Sequence, residues 1–381
     1  MRAASLVIVM LGVMLASACT NELVDTADPV VDPIAVDDED QALVAMEPMV
    51  STDATRESLL LAPAGTQQWS FAVLSDLHLP NRRSAVIDRE VQALIAMGVR
   101  FVVVTGDFTN GSKLVDHRKR RADAWWASIT SALEPLRDAG IPVLPIAGNH
   151  DTYLAWHREG FEKAFGDLEH WAAPLEPHAA TGHGFARAPY SYSVDVDGVH
   201  LTLANLVEQS VDGDVSAWLT NDLAAAQTAR LRFVFGHVPL FSVVKRPSHR
   251  FFEQLAPILA RNDVDFYVAG HEHISWDETF ALGASKEVRQ VTVGCAAGPY
   301  VFAPSKAARA RASCESAGHG RASCTMPNGG RFELVRDRSE RMIEHDSATF
   351  TVFTVSGDRD VQVTPMTVDA NGKPLAFYLA R

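Results

Sequence analysis

The chain has 381 residues, 47% of them apolar and 21% charged, with a formal net charge of −13 and four cysteines. That length is ample for a buried core, and the apolar fraction excludes a wholly disordered chain. Long apolar runs do not recur, which excludes a multi-span membrane protein, and the acidic balance lacks the surplus Lys and Arg that a general grip on nucleic acid needs.

Residues 1–19 read as an export signal. Arg2 supplies the positive end, and Leu6 to Ala16 is an uninterrupted run of apolar or small residues. Such a run is shorter than the roughly 20 residues a spanning helix needs. It ends in Leu15-Ala16-Ser17-Ala18-Cys19, and small residues directly before a cysteine resemble the bacterial lipoprotein box. Cys19 is therefore the expected lipidation site, and the chain an exported, membrane-anchored lipoprotein of the cell envelope. The alternative is simple cleavage near Ala18, giving a periplasmic or secreted protein. Residues 20–64 form the expected acidic tether. Within 21–58, eleven Asp or Glu face the single base Arg56, with Pro29, Pro33 and Pro48 and no aromatic residue. That segment carries a net −10, so residues 59–381 carry only about −4. The acidity belongs to the tether, and the folded domain is expected over residues 65–381.

From Trp69 onward, short β-type runs alternate with helical stretches. Trp69–Ser75 is a strand stopping at Asp76, and Ala85–Ala96 is a helix closed by Gly98. Phe101–Thr105 reads as a strand covered on both faces. Asp116–Asp138 is helical, with Trp125, Trp126, Ile129 and Leu133 on its buried side. Val143–Ala147 is a third strand. Ser191–Val196 and Val199–Leu206 form a hairpin about Asp197-Gly198. Val215–Thr228 is an amphipathic helix, followed by strands at Leu231–Phe235 and Phe266–Ala269. Late strands are expected at Val288–Val293, Thr349–Val355 and Val361–Val368. The pattern is α/β with mixed pairing, a class that places its ligand sites at strand exits.

Five of those exits carry polar motifs: Asp76-Leu77-His78, Gly106-Asp107, Gly148-Asn149-His150-Asp151, Gly236-His237 and Gly270-His271-Glu272-His273. Imidazole and carboxylate suit Mn, Fe or Zn, and the scarcity of cysteine argues against a thiolate site. In order and composition the five resemble the signature of the calcineurin-like metallophosphoesterase superfamily, D-x-H, G-D, G-N-H-D/E, H and G-H-x-H.

The resemblance implies a four-layer α/β/β/α sandwich with two mixed sheets and a dimetal site at the strand C-terminal ends. It implies that Asp76, His78, Asp107 and His273 hold one divalent or trivalent metal ion. Asp107, Asn149, His237 and His271 would hold a second, with Asp107 bridging. His150 would face the substrate as acid or transition-state stabiliser, and Asp151 would orient and charge-support His150. The implied reaction is hydrolysis of a small phosphoric ester through in-line attack by a metal-bridging hydroxide. Asp76-Leu77-His78, and Phe108 rather than a tyrosine after Asp107, argue against the purple acid phosphatase branch. Two other readings stay open: a metal-stabilised, non-catalytic binding protein on the same fold, and a nuclease of the same superfamily. Nucleic acid is not the expected partner.

Weaker features carry less. His117–Arg121 is either an attractor for anionic substrate or a solvated helix start. Tyr153, Trp156 and His157 are candidates for a leaving-group pocket, with core packing an equal alternative for Trp156 and a surface place expected for His157. The Cys-containing insertion near 301–345 is rich in Gly, Ser and Ala between Lys306 and Arg331, and reads as a lid or a surface loop. Cys314 and Cys324 are disulfide candidates in an exported chain, and Cys295 reads as a buried thiol.

Overall fold

The computed structural model describes residues 68–79, 84–111, 121–208, 210–242, 249–283, 285–297, 313–318, 321–325, 331–335 and 348–376. The signal, Cys19 and tether readings lie outside these residues, as do His117–Arg120 of the basic run. In chain order the first strands are β1 (Trp69–Leu74), β2 (Val102–Val104), β3 (Val143–Pro145), β4 (His178–Thr181), β5 (Arg187–Val196), β6 (Val199–Leu203), β7 (Leu231–Phe235) and β8 (Phe266–Ala269). They are followed by β9 (Trp276–Ala281), β10 (Glu287–Thr292), β11 (Ser313–Gly318), β12 (Arg321–Thr325), β13 (Arg331–Val335), β14 (Phe350–Ser356), β15 (Asp360–Val368) and β16 (Pro374–Ala376). The helices are α1 (Ser84–Met97), α2 (Ala122–Asp138), α3 (Asn149–Thr152), α4 (Ala155–Phe165), α5 (Leu168–Ala172), α6 (Gly213–Ala225) and α7 (His249–Arg261).

The strands form two mixed sheets, ordered β16-β15-β14-β1-β2-β3 and β11-β12-β13-β9-β10-β8-β7-β6-β5-β4. β1, β2 and β3 run parallel, as do β6, β7, β8 and β10, while the flanking pairs are antiparallel. Side chains alternate across a strand, so each sheet builds two layers of core. Phe71, Val73, Phe101 and Val103 of the first sheet meet Leu201, Leu203, Phe233 and Phe235 of the second. Phe71 stacks between Phe101 and Phe353, with both centroid separations 4.9 Å. On the outer face, Ala72, Leu74, Val102 and Val104 take α1 through Val91 and Leu94 and α2 through Ile129 and Leu133. The second sheet's outer face, with Val234, Tyr267 and Ala269, takes α6 and α7 through Leu219, Leu223, Phe251 and Leu255. The result is the expected α/β/β/α sandwich with two mixed sheets.

Local rules explain most boundaries. The Asp212 carboxylate caps α6 by accepting from the Asp214 and Val215 amides. Asp197 and Gly198 both have positive φ, 47° and 74°, as a two-residue hairpin turn requires between Val196 and Val199. Trp125, Trp126, Ile129 and Leu133 are buried on α2 as their spacing predicts. Among the described residues no helix is long and apolar enough to cross a membrane.

Several elements were not expected from the sequence: α3, α4, α5, α7, β4, β9, β11–β13 and β16. α7 carries Pro257 in its interior, a residue that ordinarily argues against a helix. The described parts of the 301–345 insertion, read as a lid or loop, are the strands β11–β13, which extend the second sheet from β9 through Leu334 opposite Phe280. The Ser, Ala and Gly residues of β11 and β12 give little β signal of their own; β13, with Phe332 and Leu334 alternating with charged residues, joins them to the edge of β9. Cys314 lies opposite Cys324 in the β11–β12 register.

Candidate metal centre

The parallel strands deliver all five motif loops to one place. β1 runs into Ser75-Asp76-Leu77-His78 and β2 into Gly106-Asp107; β3 leads to α3, which opens on Asn149. β7 and β8 end just before His237 and His271. Main-chain bonds stitch the first two loops together: the amides of Asp76, His78 and Leu79 donate to the carbonyls of Gly106, Asp107 and Phe108 at 3.0, 2.9 and 2.7 Å. Gly106 has φ +97°, and a Cβ on it would lie 2.5 Å from the Gly148 nitrogen. A Cβ on Gly148 would lie 2.2 Å from Asp107 Oδ1. The two loops touch backbone to backbone, which only glycine permits.

Asp76, His78, Asp107, His271 and His273 themselves sit at positive φ, between 45° and 69°. Asp and His tolerate this region better than most residues but still adopt it at a cost. Strain of this kind concentrates where the surrounding structure over-determines a side chain's aim.

That aim is convergent. Ligand-type atoms of Asp76, His78, Asp107 and His273 lie within 4.8 Å of one another, and so do those of Asp107, His237 and His271. In the first group His273 Nε2 is 3.0 Å from Asp76 Oδ1 and 3.3 Å from His78 Nε2. In the second, His237 Nε2 is 3.3 Å from Asp107 Oδ2, 3.2 Å from His271 Nδ1 and 2.9 Å from Asn149 Oδ1. Asp107 belongs to both groups. All seven residues implied as ligands are thus brought together.

The donor set fits a pair of cations. Asp76 Oδ1 is buried and accepts no hydrogen bond, although His273 Nε2 is close by. His78 Nδ1 faces the Thr109 carbonyl at 3.2 Å and His237 Nδ1 the Thr105 carbonyl at 2.7 Å. A carbonyl accepts only, so each Nδ1 carries a proton and each Nε2 faces the cluster; burial opposes charge on His237, but Asp107 and Asp76 outweigh it and lift the ring to about 9. The carboxylates are held ionised. Burial opposes charge on Asp76, but His273 and His237 outweigh it and bring the group down to about 2. Burial also works against Asp107, and His237 and His150 pull it well below the ordinary carboxylate range.

A surrounding layer of bonds fixes these groups. Asp76 Oδ2 accepts from Ser75 Oγ at 2.6 Å and from the His271 amide at 3.0 Å. The buried Cys295 thiol, as the sequence reading had it, donates to the Asp76 carbonyl at 3.3 Å. Asn110 Nδ2 donates to the His78 carbonyl at 2.7 Å. Ser75 and Asn110 went unremarked in the sequence, although each adjoins or closely follows a motif.

His150 sits at the margin of the cluster, its Nε2 3.8 Å from Asp107 Oδ2 and its side chain 16% exposed. Its Nδ1 bonds the Gly111 carbonyl. Asp151 corrects the expectation that it orients His150. Its carboxylate accepts from the amides of Phe108, Thr109 and Gly148 at 3.1, 3.0 and 2.9 Å and from Thr109 Oγ1 at 3.1 Å. Asp151 is a clasp between the Asp107 and Asn149 loops, and Gly111 is what orients the imidazole. Burial and then the Asp107 charge lift the Asp151 carboxyl to about 6, against the pull of those amides.

His157 is also corrected: it is buried at 1% exposure, with Nδ1 accepting from the Leu154 amide at 3.2 Å. Burial brings it down to about 4. Trp156 packs against Trp125 in the core, with centroids 6.4 Å apart. Phe108 turns away from the metal ligands to pack on Phe165 at 4.8 Å. Tyr153 alone of the three pocket candidates reaches the cluster, where its hydroxyl takes a hydrogen bond from Asn149 Nδ2.

A family model described as calcineurin-like phosphoesterase matches residues 70–275. Comparison with curated protein sequences finds no match. Among solved structures the chain is similar to a purple acid phosphatase from yellow lupin (Lupinus luteus) seeds, with a TM-score of 0.53 and 13% identity, covering 80% of this chain. It spans about half, 52%, of that phosphatase's length, and at such identity the likeness is one of fold. It is also similar to a dimetal phosphatase from Danio rerio, with a TM-score of 0.45 and 14% identity over 70% of this chain and 98% of that one. GAP50, the anchor in the inner membrane complex of Plasmodium, gives a TM-score of 0.48 and 14% identity over 82% of this chain and 90% of that one.

Proposed function

The chain belongs to the calcineurin-like phosphoesterase family, and from that premise we propose that it hydrolyses small phosphoric esters with two metal ions. The observation that carries the reading is the pair of ligand groups sharing Asp107, with His150 at their edge. Asp76, His78, Asp107 and His273 would hold one ion; Asp107, Asn149, His237 and His271 the other. When bound, such a pair lowers the pKa of a water between its members and offsets charge on the phosphoryl oxygens. Manganese, iron and zinc all suit the ligand types.

The chain's own residues set the rest. Ser75 and the His271 amide hold Asp76, and backbone carbonyls hold the His78 and His237 rings. His150, tied at Nδ1 to Gly111, presents Nε2 beside Asp107, where it meets the substrate's leaving oxygen and hands it a proton. Displacement at phosphorus is in line, with the leaving group on the His150 side.

Export through residues 1–19 and acylation at Cys19 belong to the same proposal, supported by the apolar run and the Ala-Ser-Ala-Cys end. Acyl labelling of the full chain and of Cys19→Ser tests it: label persisting in the variant overturns it. The enzymatic reading is tested by metal analysis of the purified protein with a panel of phosphomonoesters and diesters. Two ions per chain and turnover lost on chelation are expected. A protein that carries two ions and leaves every ester intact overturns it.

A further inference from the structure

β11 is the outermost strand of the ten-stranded sheet, and among the described residues β12 is its one strand partner. β11 reads Ser-Cys-Glu-Ser-Ala-Gly and β12 Arg-Ala-Ser-Cys-Thr, with Thr325 the single β-branched residue and no aromatic one. Such residues bring little of the cross-strand packing that holds a sheet together. Yet four consecutive pairs keep one register: Ser313 with Thr325, Cys314 with Cys324, Glu315 with Ser323 and Ser316 with Ala322. The register thus sets the two cysteines directly opposite each other. Opposed residues of an antiparallel pair share a face, with Cα atoms about 4.5–5.5 Å apart. A disulfide spans Cα separations of about 4.4–6.8 Å. Cys295 does not compete, being a free thiol buried at the metal centre and donating to the Asp76 carbonyl.

From this juxtaposition we infer that Cys314 and Cys324 are an oxidation site, joined by a disulfide that staples the edge strand to the rest of the sheet. Each thiol gives up its proton. One thiolate attacks the disulfide of an oxidised dithiol partner, and the other displaces that partner from the mixed disulfide. Two electrons pass to the partner, which leaves as two thiols, and one Sγ–Sγ bond stands where two S–H bonds stood. Export supplies a compartment that holds such an oxidant, and for that point alone the inference rests on the export reading above. The bond removes conformational freedom from the unpaired hairpin. It supplies the cohesion that the side-chain types of β11 and β12 do not.

Cleavage by trypsin after Arg311, Arg321 and Arg331 places Cys314 in residues 312–321 and Cys324 in residues 322–331. For the test, full-length protein is equilibrated with mixtures of reduced and oxidised glutathione, quenched by alkylation, digested without reductant and weighed by mass spectrometry. Wild type should yield the two peptides joined, parting only on reduction. The comparison is a variant carrying both Ser323→Cys and Cys324→Ser, in which the second thiol stands opposite Glu315 on the other face of the hairpin. Serine and cysteine differ only in oxygen for sulfur, so the exchange leaves the fold alone. A link in that variant is strained and should be at least about tenfold easier to reduce. The inference is overturned by wild-type peptides that stay apart under oxidised glutathione, by a link to the peptide bearing Cys295, or by a shifted variant as hard to reduce as wild type. Those results leave the dimetal and export readings standing. A chain that is not exported fails the acyl-labelling test while its two peptides still join in glutathione.

Discussion

Two clusters of buried histidine and aspartate lie at opposite ends of the parallel strands, and they arrange their polar atoms in different ways. Around His200 on β6 every partner is present. His200 Nδ1 meets Asp195 Oδ1 at 2.6 Å and Nε2 meets Asp222 Oδ2 at 2.8 Å. Asp222 also accepts from Ser193 at 2.7 Å and Thr202 at 2.8 Å, and Asp195 Oδ2 faces His178 at 3.1 Å. Both ring nitrogens of His200 face carboxylates, so the ring is a charged imidazolium between two anions. Burial alone would discharge it, but Asp222 and Asp195 hold it above the ordinary histidine range. This knot joins β4, β5, β6 and α6 and needs nothing from outside. In the Asp107 cluster ring nitrogens face one another, His78 toward His273 and His237 toward His271, around the carboxylates of Asp76 and Asp107. The same residue types make a structural clamp where one imidazolium is shared by two carboxylates, and a candidate cation site where several ring nitrogens and carboxylates converge on one another.

Substitutions separate the two behaviours. The largest effect is expected from Asp107→Ala, which removes the atom common to both ligand groups. Metal content and ester hydrolysis should fall together, by more than the roughly 10–100-fold that an outer partner costs, while circular dichroism stays native. Retained metal would show that the cluster does not depend on the shared carboxylate. Next comes His150→Ala: metal content unchanged, turnover down about 10²–10⁴-fold. Wild-type turnover in that variant would remove His150 from proton transfer.

In the closed cluster the readout is stability. His200→Leu leaves Asp195 and Asp222 buried without their counter-charge and should cost about 3–5 kcal/mol in urea unfolding, with activity per metal-loaded molecule unaltered. A smaller pH effect sharpens the contrast. The folded value of His200 is raised, so its contribution is full below about pH 6.5, where unfolded histidine is also protonated. It is lost as pH rises through the raised value. Urea midpoints of chelator-treated wild type should therefore decline above pH 6.5 in a way that His200→Asn does not. Parallel profiles would show that the imidazolium contributes nothing to the fold.

These clusters were unequally legible in the sequence. Each metal motif is local, a glycine or serine beside a ligand at a strand exit, and α/β architecture alone brings strand exits together. The other members of the His200 cluster stand at 178, 193, 195, 202 and 222 with no common spacing, and only the sheet register and the packing of α6 join them. Asp151 was misread for a geometric reason. Residues 149–152 form a helical turn, where successive side chains diverge by about 100°, so adjacency to His150 implies no contact. His157, expected at the surface, is turned inward by α4 beneath Gly111, where a Cβ would come within 3.0 Å of its ring. The strands of the insertion were hidden because β11 and β12 are built largely of small residues with weak strand preference.

The five left-handed ligands have a meaning for protein engineering. A side-chain list copied onto ordinary strands or helices would not reproduce this centre, because Asp76, His78, Asp107, His271 and His273 aim their donors from a backbone conformation that regular elements do not contain. The portable unit is the set of interlocked loops, with Gly106, Gly148 and the Asp151 clasp included. Transplanting it means moving backbone first and ligands second.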